Sequence, residues 1–240
     1  DIACIPGFCP HINPLTFTTE EEKALKDRLA ELGMTVSTLN ISAGGLNTED
    51  RDYAYSFIEA AIHLAARLGC YAVTIPNGKK VADPGVWPGV WEENARVSSK
   101  LITSLADCAE KDGLHLTLEA PHPGTLSETV PNTQRFFNLL GNPKVGVTLD
   151  TSHVARGNPV SVENCISEIG GQIGHVHLRD CIGENNHLTP GRGTIDFRAV
   201  IDSLNQAGYT GDLIIELEGE DKQVASEELA FAIMHIHNLG

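Results

Sequence analysis

The chain has 240 residues, with 17 Lys+Arg against 32 Asp+Glu, a formal net charge of −15, 41% hydrophobic and 20% charged residues. A chain of that length and apolar content buries a substantial core without staples and is not a disordered segment. The acidic balance argues against nucleic-acid binding, which needs clustered Lys and Arg. No apolar run approaches the roughly 20 residues that span a bilayer, and no charged-then-apolar signal segment opens the sequence.

In chain order, short β-branched runs alternate with longer helical patterns. The spacing predicts strands over 2–5, 35–41, 71–75, 114–120, 144–150, 173–179 and 212–217. Thr19 followed by Glu22 reads as a capping box opening the first helix. Ala54, Phe57, Ala61, Leu64 and Leu68 form one apolar stripe at helical spacing. Val97, Leu101, Leu105 and Cys108 form a second, and Leu229, Ala232, Ile236 and Leu239 a third. Gly33, Gly69, Gly113 and Gly208 stand where these helices should stop. Trp87 and Trp91 fall in a loop with Pro84 and Pro88, as a lid, as a dimer contact or as a surface on which a sugar stacks. The six cysteines, Cys4, Cys9, Cys70, Cys108, Cys165 and Cys181, make no CxxC pair, which points to reduced thiols and a cytoplasmic setting.

No linker or low-complexity run divides the chain, so one domain over 1–240 is expected. Strict β-α alternation implies a parallel sheet with helical crossovers. Several strands carry polar residues on alternate positions. His175, His177 and Arg179 share one face, and Val176 and Leu178 the other. A barrel explains this, with one face towards its interior and mouth and the other towards the helices. The competitor, an open doubly wound sheet, would show a glycine-rich phosphate loop, and no GxGxxG or GxxxxGK occurs. The expected fold class is therefore α/β, a (β/α)8 TIM barrel. Its seven legible strands and the abrupt start at Asp1 suggest that the first strand and helix are absent from this chain.

Four strand ends carry candidate metal ligands. LTLEAPH supplies Glu119 and His122, VGVTLDTSH supplies Asp150 and His153, IGHVHLRD supplies His177, and DLIIELEGED supplies Glu216 or Glu218. In a parallel barrel every C-terminal strand end faces the same rim, so these residues converge. Two Glu, one Asp and one His offer oxygen-rich coordination, which suits Mn, Mg or Co better than a sulfur-loving metal and leaves Zn open. The bland reading of each acid is a helix N-cap or an ion-pair partner. His175, deeper in its strand, reads as a core histidine. His11, His63, His115, His235 and His237 lie outside strand ends and read as solvated or core residues. Arg156 and Asn158 follow LDTSH and either touch substrate or end the loop.

HVHLRDCIGENNHLTPGRGTIDF, with His177, Asp180, the His187–Leu188 pair and the Pro190-to-Asp196 run, resembles the signature of the xylose-isomerase-like barrel superfamily of sugar isomerases and epimerases. GYTGDLIIE resembles the last-strand ligand segment of that family, LDTSH its Asp-plus-His pair, and LEAPH its glutamate strand. The resemblance implies a divalent metal ion held by Glu119, Asp150, His177 and Glu216, with Glu119 and Glu216 also the facing acid–base pair. It implies substrate contacts at His153 and an arginine, and His122 and His187 join these as candidates. The ketose epimerases carry that arginine six residues beyond the histidine. Position 183 here is glycine, and Arg179 or Arg192 takes its place.

The chemistry implied is proton abstraction next to a carbonyl, yielding an isomer, an epimer or an elimination product on one site. A carbohydrate without phosphate is expected, since no basic cluster lines the rim, and barrels of this kind associate into homo-oligomers. The runner-up is a lyase: a keto-cyclitol dehydratase or a 3-oxo-glycoside β-elimination, with His122 helping the leaving group. An endonuclease IV-like enzyme is opposed by the charge and by Asn185-Asn186-His187, where its Asp is absent. A non-catalytic partner subunit has no need of four converging ligands.

Overall fold

The computed structural model describes residues 1–7, 11–80, 89–157, 161–217 and 222–239. The elements run β1 (Ile2–Cys4), α1 (Thr19–Leu32), β2 (Thr38–Ile41), α2 (Arg51–Leu68), β3 (Ala72–Ile75), α3 (Gly89–Lys111), β4 (His115–Glu119), α4 (Val130–Leu140) and β5 (Val145–Asp150). They continue with α5 (Thr151–Gly157), α6 (Val162–Ile169), β6 (Ile173–Leu178), β7 (Asp180–Ile182), β8 (Asn185–Leu188), α7 (Phe197–Gln206), β9 (Leu213–Ile215) and α8 (Lys222–His237). All seven expected strands are present. Cys9, Pro84, Trp87, Pro88, Asn158 and Glu218 lie outside the described residues.

The large sheet runs β1-β2-β3-β4-β5-β6-β9, in chain order. Its strands pair in parallel, β1 with β2, β2 with β3, β3 with β4, β5 with β6 and β6 with β9. A doubly wound sheet reverses its order at a switch point. An unbroken chain order with a helix after each strand is instead the (β/α) barrel arrangement. Seven of its strands lie among the described residues.

The chain divides into two compact units, Asp1–Leu118 with Phe136–Gly146, and Glu119–Arg135 with Val147–Gly240. In the first, the α1 cap sits one residue earlier than expected. Thr18 is the N-cap, and its hydroxyl accepts from Glu21 N at 3.2 Å while its own N–H donates to Glu21 Oε2 at 2.8 Å. Glu22 is spent elsewhere, on Lys26 and Arg67, both at 2.7 Å. The α2 stripe buries Ala54, Phe57, Ala61 and Leu64. In α3 the phase differs from expectation: Trp91, Ala95, Ser98, Ile102, Leu105 and Ala109 are buried, and Val97, Leu101 and Cys108 flank them half-buried. Small residues mark the buried face because a helix lies closer to its neighbours where side chains are short. Trp91 is therefore a core residue of α3 and not a loop aromatic.

In the second unit α8 buries Ala232 but leaves Leu229 41% exposed, so its stripe is only partly covered. The β7–β8 hairpin was not expected. Gly183 and Glu184 form its two-residue loop, with Gly183 at φ 56, the positive angle that a tight hairpin needs at its first loop position. The Gly-Glu pair between two short runs was its only sequence signal. No described helix is long and apolar enough to cross a membrane.

Candidate active site in the second unit

Strand register assembles the site. Asp150 lies opposite His177, and His177 opposite Ile214. Glu216 follows at the end of β9, its N–H donating to Leu178 O at 3.2 Å. Ala120 N donates to Thr148 O at 3.1 Å, which sets Glu119 beside the same strand end. Donor atoms of Glu119, Asp150 and His177 all lie within 4.8 Å of one another. Glu216 Oε2 stands 3.1 Å from His177 Nδ1. That oxygen is buried and has no hydrogen-bond partner among the described residues.

Asp150 serves two masters. β5 runs straight into α5, so the first helical N–H groups need an acceptor at the strand end. Asp150 Oδ1 supplies it, accepting from Ser152 N at 2.8 Å, Ser152 Oγ at 2.7 Å and His153 N at 2.9 Å. The N-cap reading of this residue is thus correct for one oxygen. The other, Oδ2, accepts from Arg179 Nε at 2.8 Å. Thr151, not singled out in the sequence, couples the same helix start to β6: its hydroxyl donates to Arg179 O at 2.6 Å and accepts from Arg179 N at 3.0 Å.

Arg179 is 3% exposed and sits among the acids. Besides Asp150, it approaches His153 Nε2 at 2.8 Å, His187 Nδ1 at 3.4 Å and Glu216 Oε1 at 3.7 Å. Arg192 does not join them; it pairs with Glu228 at 3.0 Å and lies 3.7 Å over the Phe231 ring. Arg156 is likewise spent, on Glu184 at 3.2 Å.

Glu119 is flanked by two imidazoles. His153 Nε2 is 3.3 Å from one carboxylate oxygen and His122 Nδ1 is 3.5 Å from the other. The two rings stack at 4.1 Å between centroids. Burial alone would raise the Glu119 carboxyl, but the hydrogen bonds and charge of His122 and His153 outweigh it and hold the group well below its usual range. Burial would also lower His177, yet Glu216, Glu119 and Asp150 raise it. His175 is fully buried and its pKa is driven down to about 3, first by burial and then by His177, so it is a neutral core histidine.

Asp180 organises the loop beyond the hairpin. Its carboxylate is fully buried and accepts four backbone N–H bonds, from Gly191 at 2.9 Å, Gly193 at 2.7 Å, Ile195 at 3.0 Å and Cys181 at 2.8 Å. A Cβ on Gly193 would collide with that carboxylate, and one on Gly191 would meet the His235 ring at 2.8 Å. The Pro-Gly-Arg-Gly run is thus a wrapper for a buried anion, and His187 stands on the strand leading into it.

A family model described as xylose isomerase-like TIM barrel matches residues 6–234. Among curated relatives, an uncharacterized protein of Methanocaldococcus jannaschii is 26% identical over 89% of this chain and 74% of its own length. An inosose dehydratase of Serratia proteamaculans is 27% identical over 56% of this chain and 53% of its own. An L-ribulose 3-epimerase of Mesorhizobium japonicum is 30% identical over 55% and 43%. The chain thus spans about half the length of these two enzymes. Among solved structures, a D-psicose 3-epimerase from Clostridium cellulolyticum H10 superposes with a TM-score of 0.76 at 21% identity, covering 94% of this chain and 86% of the other. The IOLI protein with a bound zinc atom gives 0.68 at 22% identity, covering 89% and 79%.

Proposed function

The chain belongs to the xylose isomerase-like TIM barrel family, and from that premise we propose a divalent-metal-dependent isomerase or epimerase of a ketose or related keto-sugar. One observation carries the reading: Glu119, Asp150 and His177 gather their donors within 4.8 Å, and Glu216 turns a buried oxygen that accepts no hydrogen bond towards His177, 3.1 Å away. A buried carboxylate oxygen that accepts no hydrogen bond is expensive unless positive charge stands beside it. Three carboxylates and one imidazole fit a divalent cation, with Mn the first choice by ligand hardness and Mg, Co or Zn as alternatives. When bound, the cation supplies Lewis-acid polarisation of the substrate's oxygens.

The remaining chemistry belongs to the side chains. Glu119, ionised through neutral pH, takes the proton next to the carbonyl. Glu216, entering the step protonated, returns a proton from the other face, which inverts the centre, and the two groups reset by proton exchange with solvent; return to the neighbouring carbon gives the isomer. His122, His153, His187 and Arg179 hold the substrate's oxygens. A keto-sugar without phosphate fits a site whose described cation is Arg179, already engaged with Asp150. The family match runs through both units, in keeping with one functional domain. The five described cysteines are free thiols, in keeping with the cytoplasm. Leu229, Ile233 and Met234, 41%, 52% and 61% exposed on α8, favour a homo-oligomer.

A lyase is the second reading. It is favoured by the likeness to an inosose dehydratase and by His122, 3.5 Å from Glu119 and placed to donate to a departing hydroxyl. One experiment serves both. Metal-loaded protein is incubated with keto-sugars and keto-cyclitols in deuterated water and followed by proton NMR. Deuterium entering the carbon next to the carbonyl, with a new sugar isomer, supports the first reading. Loss of water supports the second. No exchange with any substrate in metal-loaded protein would sink both.

A further inference from the structure

Of all lysine and arginine side chains described, Arg179 alone is buried. Burying a guanidinium carries a penalty of several kcal/mol unless its surroundings offset it. Here the offset comes from the residues named above as metal ligands: Nε on Asp150 Oδ2 at 2.8 Å and one terminal nitrogen 3.7 Å from Glu216 Oε1. The other terminal nitrogen holds His153 Nε2 at 2.8 Å. A guanidinium therefore bridges two of the three carboxylates.

We propose that Arg179 is a built-in cation that sets the charge of the site, weakening its hold on a divalent metal and strengthening its pull on substrate electrons. The inference rests on the metal reading above. The charge count makes the case. Counted with all three carboxylates ionised, Glu119, Asp150 and Glu216 contribute three negative charges; Arg179 returns one, and a divalent ion brings the total to zero, while a proton on Glu216 shifts the count equally with and without Arg179. Without Arg179 the loaded site would be singly negative. Proton removal then adds negative charge to the substrate's oxygens, which a neutral site tolerates better than an anionic one. The same guanidinium repels a dication and occupies one lone pair of Asp150 Oδ2. Affinity and turnover consequently move in opposite directions when the charge is removed.

Metal-stripped protein is titrated with Mn2+ or Zn2+ by calorimetry, for the native chain, Arg179→Met and Arg179→Lys. Arg179→Met should bind metal at least about tenfold tighter, the scale expected for removing a unit charge a few ångströms from a dication even at the ~80 dielectric of bulk water. Its metal-loaded rate of deuterium exchange should fall by about tenfold or more. Arg179→Lys keeps the charge but loses the fork, and should bind metal within about threefold of the native chain. Arg179→Gln, neutral yet able to donate to Asp150, replaces Arg179→Met if methionine leaves too little folded protein. Neutral variants that bind metal equally or more weakly overturn the proposal and leave a purely orienting role. A native chain that binds neither metal overturns the metal reading itself, a separate result.

Discussion

The two units share one βα architecture but bury different polar chemistry. Every buried polar side chain described in the first unit is Thr, Ser or Asn, among them Thr38, Thr74, Asn77, Ser98 and Thr117. These are neutral, and several bond locally: Thr74 and Thr117 hydroxyls meet at 3.0 Å, Thr117 donates to Val73 O at 3.1 Å, and Ser98 donates to Asn77 O at 2.6 Å. The second unit buries Glu119, Asp150, Asp180 and Arg179 together with His153, His175 and His177. Neutral hydroxyls paired at hand are inexpensive to bury, whereas clustered charges are costly and persist where chemistry needs them. Within the second unit Asp180 shows the limiting case of an anion satisfied wholly by backbone, while Glu216 has one buried oxygen with no hydrogen bond, 3.1 Å from His177 Nδ1.

That contrast can be broken deliberately. The largest effect is expected from Glu119→Gln and Glu216→Gln, each lowering deuterium exchange by about a hundredfold or more while the melting temperature holds or rises. Exchange near the native rate in both would remove the acid–base pair. Asp180→Ala leaves four backbone N–H groups without their acceptor and should destabilise the protein by about 3 kcal/mol or more, read by denaturant titration. A loss below about 1 kcal/mol would mean that water replaces the carboxylate readily.

His175 gives a pH signature. Its folded pKa lies near 3 against an ordinary 6.5, so the unfolded chain binds the extra proton first. Stability is complete above about pH 6.5 and falls as pH drops towards 3, by at most about 1.4 kcal/mol per unit from this group. Chemical denaturation across pH 4 to 7 should show a shallower slope in His175→Gln; an unchanged slope would place the proton uptake elsewhere. The smallest effect is expected in the first unit. Thr74→Val removes one neutral hydrogen bond, and should alter stability by about 1 kcal/mol or less and exchange not at all. A large loss of exchange there would end the division of labour between the units.

Strand positions were legible because β-branched runs bounded by glycine stops are local features, and the strand ends bearing Glu119, Asp150, His177 and Glu216 followed from them. In a parallel sheet in chain order all such ends point one way, so convergence needs no knowledge of packing. The α3 phase was misread because Ala95, Ser98 and Ala109, half of the buried residues named above, carry little hydrophobic signal, while Val97 and Leu101 beside them carry more. The α1 cap was misread by one residue because Thr18 and Thr19 each stand three before a glutamate. The β7–β8 hairpin escaped because its strands are only three and four residues long, too short for an alternating pattern to show.

By itself the sequence determined the alternation, the parallel sheet and the strand ends that carry the candidate ligands, all of which depend on periodicity and spacing along the chain. Tertiary structure alone decided how each charge is used. It gave one Asp150 oxygen to the α5 cap and the other to Arg179, chose Arg179 over Arg192 for the cluster, and wrapped Asp180 in backbone. Those choices depend on distances between atoms far apart in sequence, where a shift of an ångström changes a hydrogen bond into none.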